Sequence, residues 1–85
     1  MNNTKLYKSR DEVQYIIGSN IRKICKNKDI RLMDFSYDVD ISYEYLRHIV
    51  STGGQKNLSF YSMYKIAKSL EISMDELCKG IFDDE

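Results

Sequence analysis

Within residues 35–50, FSYDVDISYEYLRHIV, the groups able to do chemistry are Asp38, Asp40, Glu44, Arg47 and His48, interleaved with Tyr37, Tyr43 and Tyr45. Catalysis would require a nucleophile held by a base, a pair of carboxylates, or a Gly-rich loop for phosphate. No Ser-His-Asp order or carboxylate pair in the chain is persuasive as a catalytic set, and Gly53-Gly54 reads as a turn rather than a phosphate-binding loop. His48, Cys25 and Cys78 lack the paired C-x-x-C or H-x-x-x-H spacing of a metal site. No enzyme, metal or cofactor is therefore expected, and Cys25 reads as a small core residue. What remains is hydrogen-bonding chemistry, in a stretch with more acid than base.

Helices must position these groups. Ser9-Arg10-Asp11-Glu12 has the S-x-x-E form of a capping box, and Val13, Ile17, Ile21 and Ile24 follow at three- and four-residue spacing. They predict an amphipathic helix ending near Asn27. Leu32, Phe35, Ser36 and Val39 form a second, short stripe; Asp40 and Ile41 read as a turn; Ser42 caps a third helix through about Val50, with Leu46, Ile49 and Val50 inward. After the loop at 51–58, Ser59 caps a fourth helix with Met63, Ile66, Ala67 and Leu70 inward. A second capping box, Ser73-Met74-Asp75-Glu76, opens a fifth helix expected to stop at Gly80. The expected organisation is an all-α chain, with a loose arm over 1–8, one five-helix domain over 9–80 and an acidic tail over 81–85.

Composition agrees. The 85 residues fit one small domain, and the absence of proline with only four glycines favours helices and short turns. Thirteen bases balance thirteen acids. Without Asp83, Asp84 and Glu85 the balance is thirteen against ten, or plus three, so the body is mildly basic. No run approaches the roughly 20 apolar residues of a membrane span, and the N-terminus lacks a signal-peptide core. Two distant cysteines suggest no disulfide framework, and the expectation is a cytoplasmic protein with no membrane partner.

A short helix, a tight turn and another helix form a helix-turn-helix. The first helix needs a small inner residue, supplied by Ser36. The turn needs a residue tolerant of positive φ, a role Asp40 can take. Ile41 then plugs the core beneath the turn, and Leu46 and Ile49 hold the second helix down. The run Ile17-Gly18, Ile21-Arg22, Phe35-Ser36, Val39-Asp40-Ile41-Ser42, Leu46, Ile49, Ala67, Leu70 and Ser73-Met74-Asp75-Glu76-Leu77 resembles the phage-repressor and Cro-type (XRE-like) helix-turn-helix regulators across residues 13–80. The chain departs from that family at Leu32, where a phosphate-clasping Gln is common, and at Asp40, where Gly is usual. Cys25 and Val50 replace an Arg–Glu pair. Both partners of that pair are missing together, which leaves no stranded charge.

The resemblance implies a five-helix lambda-repressor-like fold and a sequence-specific regulator of transcription, a repressor, working as a homodimer on double-stranded DNA. It implies base contacts from Ser42, Tyr43, Glu44, Arg47 and His48. Arg47 suits guanine's two major-groove acceptors and Glu44 the cytosine amino group. Phosphate contacts would come from Arg22, Lys26, Lys28 and Arg31 on one shoulder and Gln55, Lys56 and Asn57 on the other. The apolar residues Leu77, Ile81 and Phe82 are the expected dimer surface. The alternative is a helix-turn-helix scaffold turned into a protein-interaction module, antitoxin-like, with weak or no specific DNA binding. Leu32, Glu44, zero net charge and the tyrosines Tyr37, Tyr43, Tyr45, Tyr61 and Tyr64 favour that alternative.

Overall fold

The computed structural model describes residues 6–52 and 58–83, and every regular element in them is helical. The helices are α1 (Arg10–Asn27), α2 (Leu32–Val39), α3 (Tyr43–Thr52), α4 (Phe60–Leu70) and α5 (Met74–Leu77). Both capping boxes form. Ser9 Oγ accepts from the Glu12 amide at 3.1 Å, and the Glu12 carboxylate accepts from the Ser9 amide at 3.2 Å. Ser73 and Glu76 repeat this reciprocal pair at 3.1 Å each. Ser42 and Ser59 cap α3 and α4 by accepting from the Tyr45 and Ser62 amides.

Three helices end alike. Asp29, Asp40 and Glu71 each adopt a left-handed conformation, with φ of 58°, 55° and 58°. In each case the following isoleucine amide donates five residues back: Ile30 to Cys25, Ile41 to Ser36 and Ile72 to Ala67, at 2.8, 3.1 and 3.0 Å. These are Schellman turns, and Ile30, Ile41 and Ile72 pack their side chains on the core. Asp40 thus takes the turn conformation expected of it. An acidic residue stands in each place where glycine would be unstrained.

The core gathers Ile17, Ile21 and Cys25 from α1, Phe35 and Val39 from α2, Leu46 and Ile49 from α3, Leu58 before α4, Ile66, Ala67 and Leu70 from α4, and Leu77 from α5. Burial raises the Cys25 thiol pKa, which keeps it protonated and unreactive. Val50 is only partly buried. Gln14 interrupts the apolar face of α1 yet is buried, because its Oε1 accepts from the Leu58 amide at 3.2 Å and so fixes the chain entering α4. No helix among the described residues is long and apolar enough to cross a membrane.

Two expectations are corrected. The fifth helix ends at Leu77, short of Gly80. The Asn20 amide on α1 donates to the carbonyls of Leu77 and Lys79 at 2.8 and 2.9 Å, so α1 takes up the terminal carbonyls and the chain turns over 78–82. Leu77 is also no surface residue: it is fully buried in the core, so it cannot be part of a dimer face. Ile81 packs partly against the core, whereas Phe82 is exposed. At the other end, Lys8 of the expected arm donates to the Asp83 carbonyl.

Candidate nucleic-acid interface

The position of α3 is set by one close approach. A Cβ added to Gly18 would lie 1.9 Å from the Ile49 carbonyl oxygen and 2.8 Å from its carbon, so α1 and α3 touch where only glycine fits. Leu46 and Ile49 are buried on the same side of α3, and Tyr45, half-buried, packs beside them with its hydroxyl pKa raised by burial. On the other side of that close packing, Ser36 lets α2 approach. It is buried, and its hydroxyl donates to the Met33 carbonyl at 2.6 Å.

Pinning one side of α3 turns the other outward. Ser42, Tyr43, Glu44, Arg47 and His48 are all exposed. Positions 44, 47 and 48 share a face by three- and four-residue spacing, with Tyr43 at its edge. Ser51, one turn beyond Arg47, lies on this face as well, and its hydroxyl donates to the Arg47 carbonyl at 2.8 Å. Ser42 accepts from the Tyr45 amide with one oxygen lone pair and keeps its O–H to donate.

The charges on this face are paired. The Arg47 guanidinium donates to both Glu44 carboxylate oxygens from one nitrogen, at 2.8 and 3.1 Å. Arg47 holds the Glu44 carboxyl below its ordinary range, and Glu44 raises the guanidinium in turn. Both side chains stand in water, so the pair adds little to stability and exchanges easily for other partners. Glu44 thus neutralises Arg47 rather than adding a bare negative charge to the outward face of α3.

On the shoulder, Arg22, Lys26, Lys28 and Arg31 are all exposed. Arg22 lies one turn past Gly18, on the side of α1 that meets α3. Arg31 is the N-cap of α2 and supplies no side-chain cap, so the first amides of α2 point outward without a local acceptor from that side chain. Gln55, Lys56, Asn57 and the Gly53-Gly54 turn lie outside the described residues. A shallow groove of 370 Å³ runs between α2 and α3, lined by Met33, Ser36, Tyr37, Asp40, Ile41, Ser42 and Tyr43. Of the tyrosines, Tyr37 and Tyr43 border this groove, Tyr45 packs inward, and Tyr61 and Tyr64 stack on α4.

No protein-family model and no curated protein matches the chain. Solved structures do. The restriction-modification controller protein C.AhdI from Aeromonas hydrophila matches with a TM-score of 0.68 at 22% identity, over 75% of this chain and 94% of that one. The biofilm master regulator SinR, in complex with DNA, matches with a TM-score of 0.65 at 26% identity, over 72% of this chain and 95% of that one. SinR in complex with SinI matches with a TM-score of 0.68 at 25% identity, over 75% and 61%. The fold is that of the helix-turn-helix regulators. In this helix-turn-helix, α2 is the supporting helix, the Schellman turn at Asp40 sets the angle, and α3 stands in the recognition position.

Proposed function

We propose that this chain is a sequence-specific DNA-binding regulator of transcription, a repressor, that lays α3 in the major groove. The observation that carries the reading is the outward face of α3. Four hydrogen-bonding side chains, Tyr43, Glu44, Arg47 and His48, project from a helix fixed by Gly18, Leu46 and Ile49, in a fold shared with a regulator solved on DNA. Arg47 bridges N7 and O6 of guanine, and Glu44, released from it, accepts from a cytosine amino group. Exchanging an exposed ion pair for base contacts makes a wrong base costly, because either charge is then left unpaired at a dry interface.

Arg22, Lys26, Lys28 and Arg31 hold one phosphate strand, and Gln55, Lys56 and Asn57 the other. Leu32 removes the side-chain clasp, but the first amides of α2 beside Arg31 offer an anion-binding helix end in its place. Asp34, in that same first turn, limits its strength. Two copies read half-sites about 34–36 Å apart. The regulator works in the cytoplasm, without a catalytic role. SinR's complex with SinI supports a second, protein-binding partner as an additional property.

The test separates reading from positioning. Arg47→Ala relaxes specificity at one base pair, by about 1–3 kcal/mol of lost discrimination. Lys26→Ala weakens all duplexes alike and reduces the salt slope by about one. Identical behaviour of the two variants across a panel of single-base operator variants would refute this division of roles.

A further inference from the structure

Of the residues around the groove between α2 and α3, only Ser42 and Tyr43 also belong to the outward face of α3. The walls are apolar and aromatic. Met33 and Tyr37 lie four residues apart on α2, 47% and 77% exposed, and Tyr43 borders the groove from the start of α3. Ile41, which packs on the core, lines it between them. Asp40 is the one charged residue of the lining, and its carboxylate has no hydrogen bond or ion pair among the described residues. It caps the C-terminus of α2, whose last turn holds no basic residue, so the negative carbonyl end of the helix adds to the carboxylate.

We propose that this groove binds a small organic ammonium ion, a quaternary or alkylated amine with a short apolar body. The charge selects the occupant. A cationic head placed among Asp40 and the rings of Tyr37 and Tyr43 meets a carboxylate and two aromatic faces, while its alkyl groups cover Met33 and Ile41. An anion is repelled by Asp40, and a neutral apolar molecule would take water from the carboxylate without replacing it. A single carboxylate offers too few oxygens to hold a metal ion. The volume of 370 Å³ lies at the low end of small-molecule sites, about 300–1,000 Å³. A protein partner instead covers about 20–30 residues a side, far more than line this groove.

The groove is open to water, so the attraction is screened and the dissociation constant is on the order of 1 mM. Tyr43 links the site to recognition. It stands one turn before Arg47 on α3, and a ligand that engages its ring withdraws it from a base edge. Bound ammonium therefore weakens DNA binding, and DNA weakens ammonium binding by the same factor. This consequence rests on the DNA reading; the binding itself does not.

Amide NMR titration of the full chain with choline, at an ionic strength held constant with sodium chloride, tests the site. Choline shifts resonances between Met33 and Tyr43 and saturates with a dissociation constant of about 1 mM. Its uncharged isostere, 3,3-dimethylbutan-1-ol, binds at least about tenfold more weakly. Asp40→Asn keeps the left-handed turn, which asparagine also tolerates, and weakens choline at least about fivefold. Tyr37→Leu keeps an apolar wall without the ring face and weakens choline about threefold or more. Equal binding of choline and its neutral isostere overturns the proposal in favour of an apolar ligand. No localised shift up to about 50 mM choline overturns it and leaves the groove to a side chain of a protein partner. On a duplex selected by the chain, about 20 mM choline lowers wild-type affinity at least about fivefold. Tyr37→Leu binds that duplex like wild type without choline, and needs more choline for the same loss, by the factor its dissociation constant has risen. A DNA affinity indifferent to choline, with the localised shifts present, overturns the regulatory role. If no duplex is bound at all, the DNA reading fails and the titration alone decides the groove.

Discussion

Replacing Gly18 by alanine gives opposite expectations from local and from tertiary physics. Gly18 lies mid-way along α1, where alanine is the better helix former by about 0.8–1.0 kcal/mol, so helix propensity alone predicts stabilisation. The packing predicts the reverse. The new Cβ would sit 1.9 Å from the Ile49 carbonyl oxygen, and reaching ordinary contact requires α1 and α3 to part by about 1.5 Å. The obstacle is backbone and cannot rotate away. Overpacking typically costs 1–3 kcal/mol where side chains can adjust, so a net loss of about 3 kcal/mol is expected despite the propensity gain. A domain of this size has on the order of 4–13 kcal/mol in total. Urea unfolding followed by circular dichroism should show a midpoint lowered accordingly at unchanged slope. Amide chemical shifts should change most along α1 and α3, and DNA affinity should fall because the reading helix has moved. Wild-type or greater stability would refute the argument that Gly18 seats α3.

Three further outcomes are expected. Glu71→Gly should stabilise by about 1 kcal/mol and raise the melting temperature by about 4–8 °C, since it relieves a left-handed glutamate and removes a negative charge from the C-terminus of α4; a lowered melting temperature would refute strain there. Asn20→Ala should cost about 1–3 kcal/mol by leaving the Leu77 and Lys79 carbonyls without their donor. Asn20→Asp should cost more at neutral pH, and parity of the two variants in thermal melts would count against the capping role. Finally, NMR titration should place the Glu44 carboxyl below its ordinary 4.5 and return it upward in Arg47→Ala. Because the folded value is depressed, the pairing is complete at neutral pH and lost as pH falls through that value; a Glu44 carboxyl unmoved by Arg47→Ala would show the pair to be absent in solution.

Much of the fold was legible because each element announces itself locally. Serines at 9, 42, 59 and 73 mark the helix starts, and period-3.6 apolar residues mark the buried faces. Asp40 was readable as the turn because a helix-turn-helix needs one there. The same Schellman signature at Asp29-Ile30 and Glu71-Ile72 went unread, although an acid followed by isoleucine at a helix end repeats three times. Gln14 was signalled by a polar residue inside an apolar stripe. The contacts of Asn20 with Leu77 and Lys79 join residues 57 and 59 positions apart, and no local pattern encodes that. Leu77 misled for a related reason: a leucine near the chain end looks available, and only tertiary packing buries it. For the site, helical spacing places the α3 face correctly in the open, but the Glu44–Arg47 pairing depends on rotamers that spacing does not fix.

If α3 lies in the major groove as proposed, it reads base sequence. Selection from a random duplex pool with the purified chain at low salt, followed by titration of the winning duplex across a salt series, tests it most directly. An enriched inverted repeat with half-sites about 10 base pairs apart is expected, with affinity that falls steeply with salt. No enrichment, with only weak salt-sensitive adhesion to every duplex, would contradict it.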